Sequence, residues 1–485
     1  MNHAPFDLII ENATLIDGQR NPRYGADIGI RGDRIAAIGS LKEAQARERI
    51  DVAGKVVAPG FIDAHTHDDL ALLQQPTLPA KLSQGITTVV TGNCGVSIAP
   101  VDFKGGAPIA PMDLFDPSGE AFRFPTFGAY VAALERAPAS LNAALLVGHT
   151  ALRLDAMDDL SRTANDVEIA RMQSRVEEAL EAGAIGVSTG LFYEPAIAAT
   201  TEEVIEICRP MSRVGGLYCT HMRNEAEGVF DSLEETFRIG EALGVGVIIS
   251  HHKIMGRPNF GRSRQTLPLI AERMKKQKVC LDCYPYAASS TILSWSRAQI
   301  AKKVLITWSR PHPEFNGMEL AEIARRMGLS AEDTIADLLP AGAIYFSMDE
   351  EDVQRILGFE PTMIGSDGLP HDARPHPRLW GTFPRVLGHY SRGLGLFPLE
   401  TAVWKMTGLT AANFGLVDRG VIREGAYADL TVFDPDTVGD AATFEDSERA
   451  STGIDRIYVN GTLAWHQGAA TGARTGRVLK RSRGS

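Results

Sequence analysis

The chain has 485 residues, of which 44% are hydrophobic and 22% are charged, so it can bury a large core and hold more than one domain. Its formal net charge of −11 argues against nucleic acid as the main partner, and no apolar run is long enough to cross a bilayer. Five cysteines are too few for a disulfide framework, and the N-terminus lacks the layout of a signal peptide, so we expect a cytoplasmic protein.

Short strands separated by turn residues are predicted at both ends of the chain. They lie at 6–10, 13–16, 26–30, 34–38 and 55–57 in the first part, and at 428–433, 454–459 and 462–465 in the last part. The dipeptide Asn460-Gly461 between the final two strands is typical of a β-hairpin turn. We therefore predict one small β-sandwich domain built from residues 1–60 and 416–485, with the middle of the chain inserted between them.

The middle of the chain, residues 61–415, alternates short apolar strands with amphipathic helices, which indicates a parallel α/β fold. In the helix predicted at 166–182, for example, Val167, Met172 and Val176 lie near one face. Strands are predicted at 61–65, 86–91, 143–147, 184–188, 216–220, 246–250, 279–283 and 361–365. Eight strand–helix units predict a TIM (β/α)8 barrel, whose active site forms at the carboxyl ends of the strands.

The connection between the seventh and eighth predicted strands is much longer than the others. It contains an insertion at about 286–345, with a helix predicted near 318–327. Long insertions at this face of a barrel usually act as lids or specificity elements, so we predict a lid here.

Histidine, cysteine and aspartate follow five of the predicted barrel strands. The candidates are His65 and His67 after the first strand, Cys94 after the second, His221 after the fifth, His251 after the sixth and Asp367 after the eighth. Alternate residues of an extended strand share a face, so the two imidazoles of the first strand point the same way. Each residue alone is a weak signal, but together at one rim they predict a metal site of the zinc type.

Two of these candidates have an alternative interpretation. A free cysteine is normally a small buried hydrophobe, but Cys94 lies in a loop between Gly92 and Gly95, where a thiolate could bind one zinc ion or bridge two. His251 and His252 are adjacent and point in opposite directions on a strand, so one of them enters the barrel, and we choose His251.

Asp367 follows the last barrel strand, where a carboxylate could do two jobs. It could contact a metal, and it could also accept the proton of a metal-bound water, whose pKa is about 7. A Ser-Asp-Gly sequence is otherwise an ordinary turn, but its place after a strand favours a catalytic role.

The ligand pattern resembles that of the amidohydrolase superfamily. The segments 92–95, 250–253, 365–370 and 376–383 are further similar to those of the N-acyl-D-amino-acid deacylases, and the resemblance covers almost the whole chain. The lysine that usually ends the fourth strand in the superfamily is absent, because Ser188-Thr189-Gly190 stands there. In the deacylases a cysteine that matches Cys94 takes the bridging place.

This resemblance implies zinc as the cofactor, with one tight site formed by Cys94, His221 and His251. A possible weaker second site would consist of His65, His67 and Asp367, with Cys94 between the two. It also implies that Asp367 is the catalytic residue and that Arg378 binds the substrate carboxylate. The residues that would assist in substrate binding are Tyr284, Lys253, Ser290 and Met348. From the residues alone, Arg378 would be interpreted as part of a surface salt bridge.

The implied reaction is the hydrolysis of an N-acyl-D-amino acid, a small molecule, to a carboxylate and a D-amino acid. We expect a preference for neutral hydrophobic side chains, because Met348, Phe192, Trp295 and Ile292 could line an apolar pocket. The alternative is an N-acyl-D-glutamate or N-acyl-D-aspartate deacylase, in which Arg297 would meet a second carboxylate. A cyclic amidase such as a hydantoinase or dihydroorotase and a non-catalytic barrel scaffold are further alternatives. The oligomeric state is left open, with a monomer as one option.

Overall fold

A parallel sheet of eight strands forms the centre of the molecule, in a computed structural model that describes residues 5–103, 106–116 and 118–480. In chain order these barrel strands are Phe61–Asp63, Ile86–Thr91, Asn142–Gly148, Gly186–Gly190, Leu217–His221, Gly246–Ile249, Val279–Cys283 and Thr362–Ile364. The strands follow one another in sequence order around the sheet. The first and last residues of every barrel strand lie within two residues of the predicted bounds.

The first and eighth barrel strands close the sheet through a small number of backbone contacts. The Ala64 amide donates to the Ile364 carbonyl at 3.1 Å, and the Asp367 amide donates to the His65 carbonyl at 2.8 Å. A parallel bridge between Thr66 and Gly368 continues the pairing. The predicted TIM-barrel fold class is confirmed, and the ends of its first and last strands lie side by side.

Helices alternate with the strands on the outside of the barrel. Their bounds are Ala71–Gln74, Pro79–Leu82, Phe127–Arg136, His149–Ala156, Asp166–Ala182, Glu194–Ile197, Thr201–Val214, Val229–Leu243, Ser263–Met274, Glu350–Gly358, Arg378–Arg385, Leu399–Met406 and Gly408–Phe414, with a π-helical stretch at Val386–Gly393. In Asp166–Ala182 the residues Met172 and Val176 are buried, but Val167 is 79% exposed. At 3.6 residues per turn, Val167 lies roughly 140–180° around the helix from these two residues, so it faces solvent. Among the described residues, no helix is both long enough and apolar enough to span a membrane.

The two chain ends form one nine-stranded sheet. Its strands are Phe6–Leu15, Tyr24–Arg31, Arg34–Gly39, Ala46–Asp51, Val56–Pro59, Leu430–Phe433, Ile454–Val459, Thr462–His466 and Ala469–Ala470. Val56–Pro59 pairs with Leu430–Phe433 and joins the ends, and one hydrophobic cluster combines Leu8 with Leu430. The domain bounds 1–60, 61–415 and 416–485 stay a prediction, and residues 1–4 and 481–485 lie outside the described part.

Two predictions in this sheet were wrong in detail. The pieces at 6–10 and 13–16 are one strand, interrupted by an irregularity between Ile10 and Ala13, where Asn12 adopts a positive φ of 58°. The strand Ala46–Asp51 was missed because its sequence Ala-Arg-Glu-Arg-Ile-Asp contains no apolar run. It pairs with the first strand at the edge of the sheet, where polar side chains face water.

The insertion after the seventh barrel strand is a small unit with its own core. A three-stranded antiparallel sheet of Ser289–Ile292, Val304–Ser309 and Ala341–Tyr345 packs with the helices Trp295–Ala298, Leu320–Met327 and Ala331–Leu338. The helix predicted near 318–327 is present. A second long connection, which the sequence did not reveal, joins the second barrel strand to the helix Phe127–Arg136, and it contains the two-stranded pair Val101–Asp102 and Arg123–Phe124.

Candidate metal centre and active site

Four predicted ligands, from the first, second, sixth and eighth barrel strands, meet at the carboxyl end of the barrel. One ligand atom from each of His65, Cys94, His251 and Asp367 lies within 4.8 Å of the others, and all four side chains are buried. The Cys94 sulfur lies 3.2 Å from His65 Nε2 and 3.3 Å from His251 Nε2. His65 Nε2 lies 3.5 Å from Asp367 Oδ1. Residues separated by up to 302 positions thus share one cluster of donor atoms.

The other two predicted ligands border this cluster. His67 Nε2 lies 3.2 Å from Asp367 Oδ1, and His221 Nδ1 lies 3.0 Å from His251 Nε2. The ring of the adjacent His252 does not join the cluster, and its Nε2 lies 2.9 Å from the Thr266 hydroxyl. All six residues predicted as metal ligands therefore come together at the rim.

Three residues of the cluster hold the backbone in the left-handed region. The φ angles are 54° at Cys94, 37° at His251 and 51° at Asp367. Residues other than glycine rarely adopt this conformation, which costs roughly 1–3 kcal/mol each and persists only when the surrounding structure imposes it. Each of the three lies in the loop that follows a barrel strand, after Thr91, Ile249 and Ile364, so the left-handed backbone belongs to the turns that carry the ligand side chains.

The end of the fourth barrel strand supports the loop that carries Cys94. The Ser188 hydroxyl accepts a hydrogen bond from the Gly95 amide at 3.0 Å and donates to the Gly92 carbonyl. A side chain at Gly190 would lie 2.1 Å from the Cys94 carbonyl oxygen. The Cys94 loop therefore fills the space at the end of this strand, where the superfamily usually has a lysine.

The electrostatics of the cluster favour the ionised forms of its acids. Burial alone would raise the pKa of the Cys94 thiol, but the adjacent His65 and His251 lower it well below its usual value. Burial would likewise raise the pKa of Asp367, but the guanidinium of Arg378 and the nearby imidazoles lower it far below its usual range. Burial would lower the pKa of His67, but the hydrogen bonds and charges of Asp367 and Cys94 together outweigh it and raise this pKa to about 9. A thiolate and a carboxylate among imidazoles form a suitable donor set for a divalent cation.

The predicted substrate-binding residues lie in two layers. Lys253 and Ser290 line the cavity above the cluster. Arg378 is fully buried behind them, with NH1 2.8 Å from Asp367 Oδ2 and NH2 donating to the Ser290 carbonyl at 3.0 Å. Tyr284 and Met348 also lie in the rear layer: the Tyr284 ring lies 4.6 Å from the Arg378 guanidinium carbon, and its hydroxyl lies 3.7 Å from the Met348 sulfur.

The walls of the cavity come from several loops. Its lining includes His67, His221, Tyr193, Thr291 and Arg297, together with apolar side chains from the long second connection and from the loop after the eighth strand, namely Val96, Leu114, Phe115 and Leu369. Phe115 packs against the His67 ring, with 6.1 Å between ring centroids. Leu114 meets Trp308 of the insertion and Leu369 in one small apolar cluster. The second connection thus forms part of the wall. The expected apolar lining is different from the one observed, because the residues that line this cavity do not include Met348, Phe192, Trp295 or Ile292.

Four buried charged residues at the site were missed in the sequence. Lys81 lies beneath the rim, with its ammonium 2.9 Å from Asp63 Oδ2 and 2.8 Å from the Ser366 hydroxyl. Asp282, on the seventh strand, accepts a hydrogen bond from the His251 amide at 2.9 Å. Glu225 Oε1 contacts both His251 Nδ1 and the Lys253 ammonium. The sequence does carry a signal for three of them. Asp63 and Asp282 are carboxylates inside otherwise apolar strands, and Glu225 lies four residues after the ligand His221.

Comparisons with known proteins agree with this geometry. A model of the amidohydrolase family matches residues 48–265 and 360–464, and the unmatched middle contains the insertion. A D-aminoacylase of Alcaligenes xylosoxydans xylosoxydans is 60% identical over 478 residues, which cover 99% of this chain and 98% of that protein.

Two solved structures superimpose closely on the chain. A D-aminoacylase with a binuclear metal centre, for which one-metal activation and second-metal attenuation are described, gives a TM-score of 0.96 at 58% identity, over 98% of this chain and 100% of the other. The second structure is an N-acyl-D-glutamate deacylase from Bordetella bronchiseptica, complexed with zinc and a phosphonate mimic of the tetrahedral intermediate. Its TM-score is 0.95 at 48% identity, over 98% of this chain and 100% of the other.

Proposed function

Since the chain belongs to the amidohydrolase family, we propose that it is a metal-dependent hydrolase that cleaves N-acyl-D-amino acids to a carboxylate and a free D-amino acid. The observation that carries this proposal is the convergence of His65, Cys94, His251 and Asp367 at the rim of the barrel. The D configuration of the substrate follows from the relatives, which are a D-aminoacylase and an N-acyl-D-glutamate deacylase.

Zinc fits the donor set of this site. Zinc prefers thiolate and imidazole ligands, and at its usual bond lengths two ligands of one tetrahedral ion lie roughly 3.3–3.6 Å apart. The separations from Cys94 Sγ to His65 Nε2 and His251 Nε2, at 3.2 and 3.3 Å, are close to this range. We assign the tight ion to Cys94, His221 and His251, and a weaker second ion to His65, His67 and Asp367, with Cys94 between the two sites. The one-metal activation of the solved D-aminoacylase supports unequal sites.

Bound zinc would supply a Lewis acid that polarises the amide carbonyl and lowers the pKa of a coordinated water to about 7. The chain supplies the proton transfer. Asp367 is kept ionised by Arg378 at 2.8 Å, so one of its oxygens can accept a proton from the attacking water. It then returns that proton to the nitrogen of the leaving amine. Phe115 and Leu114 line the cavity, and Phe115 packs against the His67 ring, so they place apolar surface beside the reacting groups.

We assign Arg378 to the α-carboxylate of the substrate, because a guanidinium fork matches a carboxylate with two hydrogen bonds. In the structure the fork contacts Asp367 and the Ser290 carbonyl. A substrate carboxylate would have to displace one of these contacts, and displacement of Asp367 would free that oxygen for proton transfer. Lys253 and Ser290 line the cavity in front of Arg378 and would complete the carboxylate site, with Tyr284 and Met348 packed behind.

The test of this function is a side-by-side assay of amine release from the N-acetyl derivatives of D-Met, D-Leu, D-Glu and D-Asp, each with its L enantiomer. We expect turnover of the D forms that is lost on treatment with a chelator and restored by zinc. Asp367→Ala should lower kcat by about 10²–10⁴-fold while the tight zinc ion is retained, as measured by elemental analysis. Equal cleavage of L substrates, or near-normal turnover of Asp367→Ala, would contradict the proposal.

For the side chain of the substrate, we propose neutral hydrophobic residues first. Val96, Leu114, Phe115 and Leu369 give the cavity an apolar wall. The 60% identity to a D-aminoacylase exceeds the 48% identity to the solved glutamate-specific enzyme, which agrees with this choice.

A second candidate, an enzyme for acidic D-amino acids, is favoured by Arg297. Its side chain is 4% exposed, lines the cavity, and stacks on the Phe192 ring at 3.9 Å. Its NH1 lies 3.4 Å from the Met255 sulfur, and within the described residues no carboxylate lies within 4.0 Å of the guanidinium. A buried cation without a counter-ion is costly, and a side-chain carboxylate of the substrate would supply that counter-ion.

Arg297→Met separates the two candidates. If the enzyme prefers acidic side chains, kcat/KM for N-acetyl-D-Glu should fall by about 10–100-fold, as expected for the loss of a hydrogen bond between charged groups, while the value for N-acetyl-D-Leu does not fall. If it prefers neutral side chains, the Arg297→Met variant should change both substrates alike. Arg310→Met, at an exposed arginine of the same insertion, is the control and should change neither.

A further inference from the structure

We propose that Glu225 is a positioning residue for the metal centre, and that its single carboxylate orients both histidines of the tight site. Glu225 lies in the loop after the fifth barrel strand, four residues beyond His221, and is 5% exposed. Its two oxygens face two different imidazoles. Oε1 lies 3.1 Å from His251 Nδ1, and Oε2 lies 3.5 Å from His221 Nε2. This inference rests on the zinc site proposed above.

Each imidazole presents one nitrogen to the cluster and the other to Glu225. His251 Nε2 faces the Cys94 sulfur at 3.3 Å, and His221 Nδ1 lies 3.0 Å from that same His251 nitrogen. The nitrogens that face Glu225 are therefore the opposite ones, Nδ1 of His251 and Nε2 of His221. The two histidines bind through different nitrogens, and one carboxylate between them accounts for both choices.

The hydrogen-bonding capacity of imidazole makes this arrangement chemically specific. A neutral ring has one lone pair and one N–H, so a ring that gives its lone pair to a metal must find an acceptor for the N–H on its other nitrogen. Glu225 Oε1 is that acceptor for His251. For His221, neither its Nε2 nor Glu225 Oε2 has a hydrogen-bond partner elsewhere in the described residues, and the two atoms face each other.

Lys253 offers the competing explanation for Glu225. Its ammonium lies 2.5 Å from Glu225 Oε1 and 2.6 Å from His251 Nδ1, so Glu225 also neutralises a buried cation. If His251 Nδ1 accepted a hydrogen bond from Lys253, then Nε2 would carry the proton and could not bind a metal. If Glu225 Oε1 accepts hydrogen bonds from both the Lys253 ammonium and His251 Nδ1–H, then His251 Nε2 keeps its lone pair for the metal. The two roles make different predictions when Lys253 is removed as well.

The experiment compares four forms of the full-length protein: wild type, Glu225→Gln, Glu227→Gln, and the double variant Glu225→Gln/Lys253→Met. The zinc dissociation constant is measured by competition with a chromophoric chelator, and the Co²⁺-loaded proteins are compared by visible absorption, which reports ligand geometry. Glu227 lies in the same loop and is exposed, so its variant controls for a change of charge there.

We expect Glu225→Gln to raise the zinc dissociation constant by about 10–100-fold and to shift the cobalt spectrum, because the loss of an outer carboxylate usually has this effect. The double variant should stay equally weak, whereas Glu227→Gln should match the wild type. The double variant leaves no uncompensated ammonium, so it keeps the test decisive if Glu225→Gln alone does not fold.

A zinc affinity within twofold of the wild type in Glu225→Gln would overturn the inference. Recovery of wild-type affinity in the double variant would also overturn it, since Glu225 would then only neutralise Lys253. The proposed zinc site is tested separately: if the wild type takes up no zinc, or if His221→Ala keeps the same affinity, the site itself is wrong.

Discussion

Removal of one partner from the buried ion pair beneath the rim should destabilise the protein strongly, and Lys81→Met tests this. Lys81 is 1% exposed, and its ammonium contacts Asp63 Oδ2 at 2.9 Å, Asp68 Oδ2 at 3.3 Å and the Ser366 hydroxyl at 2.8 Å. The other carboxylate oxygen, Asp63 Oδ1, accepts a hydrogen bond from the Ser366 amide at 2.7 Å. The group therefore ties the first barrel strand to the eighth, next to His65 and Asp367.

The expected loss follows from what the variant leaves behind. Methionine fills a similar volume, but it leaves the buried carboxylates of Asp63 and Asp68 without the ammonium that lies 2.9 and 3.3 Å from them. Removal of one partner of a buried ion pair typically costs about 3–5 kcal/mol. We expect a large fall in the urea midpoint of unfolding, followed by tryptophan fluorescence, together with a loss of turnover because the two strand ends carry catalytic groups.

Two further variants make this result interpretable. Arg20→Met breaks an exposed ion pair with Glu360 at 2.7 Å, where the side chains are 40% and 67% exposed, and it should cost no more than about 1 kcal/mol. Lys81→Met/Asp63→Asn removes a charge from each side and should recover part of the loss. If Lys81→Met lowered the midpoint no more than Arg20→Met does, the assignment of Lys81 as a structural cation would be refuted.

Three other predictions concern separate parts of the chain. Burial, partly offset by Thr307 and Arg378, raises the pKa of Asp372 to about 7, so this group binds a proton in the folded state that the unfolded chain has lost above its ordinary pKa of about 4. Through this group, the free energy of unfolding should therefore fall as the pH rises from 4 to 7. Asp372→Asn should remove that part of the pH dependence, measured by urea titrations at pH 5 and 8. If the difference in stability between pH 5 and pH 8 were unchanged in the variant, Asp372 would not be its source. Phe115→Ala should lower kcat/KM by about tenfold, equal to about 1.4 kcal/mol, with unchanged zinc content, because the cavity opens to water; unchanged kinetics would show that this wall is dispensable. Asn165→Ala removes the acceptor of a capping box at the start of Asp166–Ala182 and should cost about 1 kcal/mol of stability in thermal unfolding, without an effect on KM.

The sequence by itself determined the barrel and the order of the ligands around its rim. Strand and helix repeats are local, because each strand shows as a short apolar run and each amphipathic helix as a period near 3.6 residues. Once eight such units are recognised, the topology brings the residues after every strand to one edge. His65, Cys94, His221 and Asp367 could therefore be grouped although they are far apart along the chain.

The tertiary structure decided which atoms meet within that group. The nitrogen that each histidine presents to Cys94, the position of Glu225 behind His221 and His251, and the Lys81–Asp63 pair depend on side chains from different strands, and no local pattern records such contacts. The wall formed by Phe115 was missed for a related reason. It lies in an irregular connection, where the chain follows its contacts with the barrel rim and has no repeat that a sequence reader could detect.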